Sequence, residues 1–186
     1  MHGPQRRGAW QNHRARAPTK QGRQVGPAAA LVRIRVIAIG SRMPGWVREG
    51  VDDYLKRFAA SMRVSIIEIE AGNRTGSNPK RAMEVEGERL LAAVRKDEYV
   101  VALDERGTEM TTKQLAAWID GHMREARDVA LLIGGPDGFA PEVLSRANYK
   151  WALSKLTFPH ALVRVVLAEQ LYRAHSLLNN HPYHRE

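Results

Sequence analysis

Five consecutive apolar residues, Val129 to Ile133, run straight into Gly134-Gly135-Pro136-Asp137-Gly138. An unbroken apolar run of that length suits a strand whose sheet is covered on both faces, as in parallel α/β sheets. Glycines lack Cβ, so they reach positive φ and let another group approach the backbone closely; the run ends there abruptly. A turn just beyond the carboxyl end of a sheet strand is where open α/β folds place ligands. It serves equally well as a plain link from strand to helix. By itself the turn leaves both readings open.

The rest of the body repeats the same alternation. Val32 to Gly40 mixes basic and apolar residues and then turns wholly apolar, which predicts a first strand. Trp46, Val47, Val51, Tyr54, Leu55 and Phe58 predict one apolar face of a helix starting near Pro44. Val64 to Glu70 predicts a second strand, and residues 71–79 a polar loop whose Arg74 could touch a phosphate backbone. Lys80 to Arg95 predicts a helix with Met83, Leu90, Leu91 and Val94 as its apolar positions and several glutamates exposed. Tyr99 to Asp104 predicts a third strand, which sets Leu103 and Asp104 beside the glycine turn. Thr111 or Thr112 caps the helix that carries Leu115, Ala116, Ile119 and Met123. Strands alternating with helices give a single α/β domain with a mainly parallel sheet flanked by helices.

Beyond the turn come a short helix and an apolar-to-polar segment starting at Trp151. A long helix follows Pro159, with Leu162, Val163, Val166, Leu167, Leu171 and Tyr172 as its stripe and Arg164, Glu169 and Arg173 decorating it. The chain closes on Asn179 to Glu186, polar and rich in rings.

Three stretches in order, LLIGGPDGF, LSKLTFPHALVRVVLAEQLYRA and NHPYHRE, resemble the bacterial ribosomal RNA large-subunit methyltransferase H family. The likeness covers about Leu31 to Glu186. It implies a SPOUT-class fold with a C-terminal trefoil knot. It also implies a homodimer that methylates N3 of a pseudouridine in 23S ribosomal RNA, on the assembled ribosome and in the cytoplasm. S-adenosylmethionine is the cofactor so implied, and no metal. The family pattern carries the cofactor site onto Leu103, onto Gly134 with Gly135, and onto Leu153, Ser154, Lys155, Leu156, Thr157 and Phe158. Leu103, Leu156 and Phe158 can sandwich an adenine while loop amides and carbonyls read its edge.

Methyl transfer from a sulfonium asks the protein to align nucleophile, methyl and sulfur and to keep the nucleophile deprotonated. Tyr183, His184 and Arg173 are the expected catalytic set, because an exposed terminus otherwise has little structural purpose. His160, Arg164 and Arg185 are the expected substrate contacts, as a histidine can accept a proton and arginines hold phosphates. Leu103, Leu153 and Leu156 serve equally as ordinary core, and His160 as a helix cap. Neither a G-x-G-x-x-G nor a Walker sequence is present. The competing reading is a non-catalytic ribosome-binding or assembly factor with the same fold.

Charge separates the first thirty residues from the rest. The net charge is +9, and residues 1–30 hold six of the 29 basic residues and no acidic one. The remaining 23 basic residues face 20 acidic ones, a balance of only +3. Residues 1–31 are therefore expected to be a basic, disordered extension, an arm that binds phosphates, or translation from a wrongly assigned start. The absence of cysteine excludes disulfides and thiolate metal sites. No apolar run reaches membrane-span length, and the first residues contain no apolar signal core.

Overall fold

The computed structural model describes residues 31–74 and 78–184, the last by its backbone alone. Residues 1–30 of the expected extension (1–31), the His184 side chain and Arg185 lie outside the described residues. The elements are β1 (Val32–Ile39), α1 (Gly45–Leu55), β2 (Met62–Ile69), α2 (Pro79–Ala93), β3 (Tyr99–Glu109), α3 (Thr112–Arg124), β4 (Val129–Ile133), α4 (Pro141–Arg146), β5 (Tyr149–Ala152) and α5 (His160–Leu178). A single 3-10 turn, Pro182–His184, follows.

One five-stranded sheet, wholly parallel, has the order β2-β1-β4-β3-β5. All five residues of β4 are buried, as its apolar run demands. Alternation sends Val129, Leu131 and Ile133 to one core and Ala130 and Leu132 to the other. The first core is closed by Leu115 and Ile119 of α3 and by Leu167 and Leu171 of α5, and α1 packs on α5. The second core is closed by Leu90 of α2 and Val143 of α4. The basic residues of β1 sit at its start, where the Arg35 guanidinium donates to both oxygens of buried Glu98 at 2.7 and 2.8 Å.

Local signals explain most element ends. Thr111 caps α3 in a reciprocal capping box with Gln114. Asn78 caps α2, its side chain accepting from the Lys80 amide at 2.9 Å.

Four expectations need correction. Trp46 is 56% exposed, because it lies one residue, about 100° of helix, off the buried Val47–Val51 stripe. The third strand does not end at Asp104 but resumes after an irregularity between Leu103 and Thr108. The apolar start of the segment from Trp151 belongs to a strand that was not expected: Tyr149–Ala152 forms the edge strand β5, too short to display alternation. Arg164 does not decorate α5; it is 2% exposed.

Candidate cofactor cavity at the carboxyl edge of the sheet

The carboxyl ends of β3, β4 and β5 open into a cavity of about 450 Å³. Parallel register sets Leu103 opposite both Ile133 and Trp151, so three loops leave the sheet side by side. One wall is the irregular stretch 103–106 within β3, the second the glycine turn 134–138, and the third the segment from Leu153 to His160. Leu103, Gly134, Gly135, Leu153, Ser154, Leu156, Thr157, Phe158 and His160 all line it. Lys155, Arg164, Arg173 and Tyr183 do not. Phe139, Leu144, Trp151 and Val163 also line it and were not expected; their only sequence signal was proximity to the motifs.

The glycine turn is a tight loop in which the Gly138 amide donates to the Gly135 carbonyl at 3.0 Å. Gly138 has φ +84°, a left-handed conformation that favours glycine. A Cβ on Gly134 would meet the Gly138 carbonyl oxygen at 3.0 Å and the Phe139 ring at 3.3 Å. That glycine therefore serves the turn's own closure. A Cβ on Gly135 would run into Glu86 and Arg74.

Glu86 is a functional residue the sequence did not single out, and the fold buries it at 2% exposure. It stands three residues after Met83 and four before Leu90, on the inward stripe of α2, and that spacing was the available signal. Its carboxylate accepts from the Gly72 amide at 2.8 Å and from Arg74 at 2.7 and 3.0 Å. Arg74 then donates from Nε to Asp137 of the turn at 3.0 Å. Hydrogen bonding to Glu86, opposed by burial and reinforced by Asp137, raises the Arg74 pKa.

Across the cavity, the Thr157 hydroxyl donates to Glu105 at 3.3 Å, tying the third wall to the first. The Ser154 hydroxyl accepts from the Leu156 amide at 3.0 Å and turns that loop outward, leaving Leu156 71% exposed at the rim. His160 opens α5 without capping it. Burial first, then the nearby Arg164 charge, lowers its pKa, so it is a neutral imidazole near pH 7 and able to accept a proton.

Arg164, one turn further on, donates to Glu68 at 2.8 Å and to the carbonyls of Ile39 and Gly40 at 2.9 and 2.5 Å. It satisfies strand-end carbonyls of β1, an occupation that leaves its fork turned away from the cavity.

The expected catalytic set lies at the other end of α5. Arg173 follows His160 by thirteen residues, roughly 20 Å along the helix. Its guanidinium pairs with Glu169 and sits 5.2 Å from the Tyr183 ring centre. Tyr183 packs edge-on to Tyr172, and its hydroxyl donates to the Glu169 carboxylate at 3.3 Å and lies 3.4 Å from the Tyr54 hydroxyl. Burial and these partners raise the phenol pKa far above its usual value, so it is un-ionised near neutral pH. Cavity and tail of one chain are thus separate places.

Comparison with known proteins fits this architecture. The family model described as "Predicted SPOUT methyltransferase" matches residues 32–184. The chain is similar to the ribosomal RNA large subunit methyltransferase H of Alkalilimnicola ehrlichii, 54% identical over 155 residues, 83% of this chain and 99% of that protein. The Chromohalobacter salexigens protein of the same name is 51% identical over 155 residues, 83% of this chain and all of that one. Among solved structures, a putative methylase family protein from Neisseria gonorrhoeae has a TM-score of 0.47 at 14% identity, covering 80% of this chain and 86% of that one. A probable methylase family protein from Haemophilus influenzae has a TM-score of 0.43 at 15% identity, covering 79% and 66%. The class is that of the SPOUT methyltransferases. Within it, the chain belongs to the ribosomal RNA large subunit methyltransferase H family.

Proposed function

We propose that the chain transfers a methyl group from S-adenosylmethionine to N3 of a pseudouridine in 23S ribosomal RNA, as a homodimer acting on the assembled ribosome in the cytoplasm. The observation that carries the reading is the cavity of about 450 Å³ where the glycine turn meets the ends of β3 and β5. That volume falls within the roughly 300–1,000 Å³ usual for small-ligand sites, and the lining suits an adenosyl group. Leu103, Leu156 and Phe158 supply apolar faces, while the 134–138 and 153–158 backbone supplies polar edges. When bound, the cofactor supplies an electrophilic methyl on a sulfonium.

The chain's own work is then orientation, water exclusion and proton handling. The apolar wall keeps water from the reacting methyl. Neutral His160 stands at the rim, placed to accept a hydrogen bond or a proton from the target base. Tyr183, His184, Arg173 and Arg185 take part from the tail, with Arg173 and Arg185 countering charge on the uracil oxygens or phosphates. Because Arg173 stands roughly 20 Å along α5 from His160, the tail serves the cavity of a second copy. Exposed Trp46 on α1 and half-buried Leu162 and Val166 on α5 leave apolar surface for that copy. A knotted C-terminal path belongs to the same reading. Arg164 holds the scaffold under the site.

The test is calorimetry with S-adenosylmethionine, followed by mass spectrometry of 23S RNA after incubating unmethylated ribosomes with protein and cofactor. Saturable binding and one added methyl on a pseudouridine are expected. Binding to ribosomes without cofactor uptake or methyl gain would overturn the reading in favour of an assembly factor.

A further inference from the structure

We propose that Glu86, Arg74 and Asp137 form a positioning relay that holds the glycine turn in its cofactor-binding geometry, with Glu86 acting from outside the cavity. This rests on the cofactor assignment above.

Four observations point the same way. Glu86 is a carboxylate 2% exposed on the inner face of a helix, a costly location unless its oxygens are fully engaged. They are, by the Gly72 amide and both terminal nitrogens of Arg74. Arg74 has one further donor edge, and its Nε bonds Asp137 at the tip of the turn, 63 residues away in sequence. Gly135 completes the contact by bringing bare backbone against the pair, where any side chain would strike Glu86.

The arrangement has a direction. α2 is fixed to the sheet through Leu90, so Glu86 is the immobile end. The turn is the end that would otherwise move: internally it is closed between Gly135 and Gly138, and its tip is tied to the body through Asp137 and Arg74. A planar guanidinium can hold two carboxylates in fixed relative positions, which a lysine ammonium cannot do. Asp137, Gly134 and Gly135 line the cavity, whereas Glu86 and Arg74 do not. The relay therefore converts the position of a buried helix into the position of the cofactor wall.

Two variants and their combination test this. Asp137→Asn severs the charged tie and leaves the buried Arg74–Glu86 pair intact. Arg74→Gln severs it from the other side and keeps an amide donor for Glu86. Each should weaken S-adenosylmethionine binding about tenfold by calorimetry, raise KM for the cofactor in proportion and leave kcat within about twofold. The double variant should lose no more than the worse single, because both cut one connection. Hydrogen exchange of the Gly138 amide should quicken in both singles, with cofactor absent. If Arg74→Gln does not fold, Asp137→Asn with the exchange measurement decides. Unchanged affinity and exchange overturn the relay while the cofactor assignment stands. Losses that multiply to about a hundredfold also overturn it, since Asp137 would then touch the cofactor independently. Failure of the unmutated protein to bind S-adenosylmethionine removes the assignment and the relay together.

Discussion

The two ends of α5 are built on different physics. At its first residue, His160 faces a cavity whose walls are tied down by charge-assisted bonds between loops and a buried glutamate. Beyond its last turn, the tail lies on the helix through rings and one carboxylate: Tyr183 against Tyr172, under Arg173, bonded to Glu169. The first end resists displacement because moving it would strand a buried charge. The second can leave for the cost of a few half-exposed contacts. A rigid pocket suits a small cofactor met in one geometry; a detachable tail suits a large, irregular RNA target.

The largest effect is expected from breaking the rigid end. Gly135→Val drives a side chain into Glu86 and Arg74, and calorimetry should find no S-adenosylmethionine binding, with stability lower by about 1–3 kcal/mol, the usual cost of overpacking. Normal binding by a folded variant would mean that the turn is not the cofactor wall.

Deleting Tyr183 to Glu186 should do the reverse, leaving cofactor affinity and folding near native while methyl transfer falls at least about a hundredfold. Mixing the two defective chains sharpens the comparison. A tail that serves the neighbour gives the heterodimer one complete site and measurable activity; a tail that serves its own cavity gives none.

Acid should act on α5 as a whole and on α3, which packs against it. Burial lowers the pKa of His122, His160 and His175. The unfolded chain then binds more protons than the folded one below about pH 6.5, so stability is full above that pH and falls as pH drops. The melting temperature should fall by several degrees between pH 7.5 and 5.5. His175→Phe, which keeps the ring against Phe58, should flatten part of that slope. A pH-independent melt would show that these imidazoles are not buried in solution.

The smallest effect should come from removing residues 1–30, which carry six basic residues and little apolar content. The melting temperature should move by less than about one degree. If ribosome binding weakens and its salt dependence becomes shallower, the arm contacts phosphates.

Sequence by itself determined most of the element pattern and the loops that line the cavity, because those signals are local. The Val129–Ile133 run, the Gly134–Gly138 turn and the Thr111–Gln114 cap each constrain their own backbone within a few residues. The LSKLTFPH and GGPDG stretches were joined by the family resemblance, and the parallel order of the sheet then brings the strands that precede them to one edge. Tertiary structure alone decided what depends on partners far along the chain. Glu86 shares the Met83–Leu90 stripe and Glu84 does not, but only the approach of Arg74 and Gly135 makes a carboxylate at that position a buried anchor. Arg164 and Arg173 look alike on α5, and only the carbonyls of Ile39 and Gly40 draw the first inside. A charged side chain has no intrinsic address: its burial is set by whether the fold brings enough compensating donors and acceptors to it, and periodicity along one segment does not encode that count.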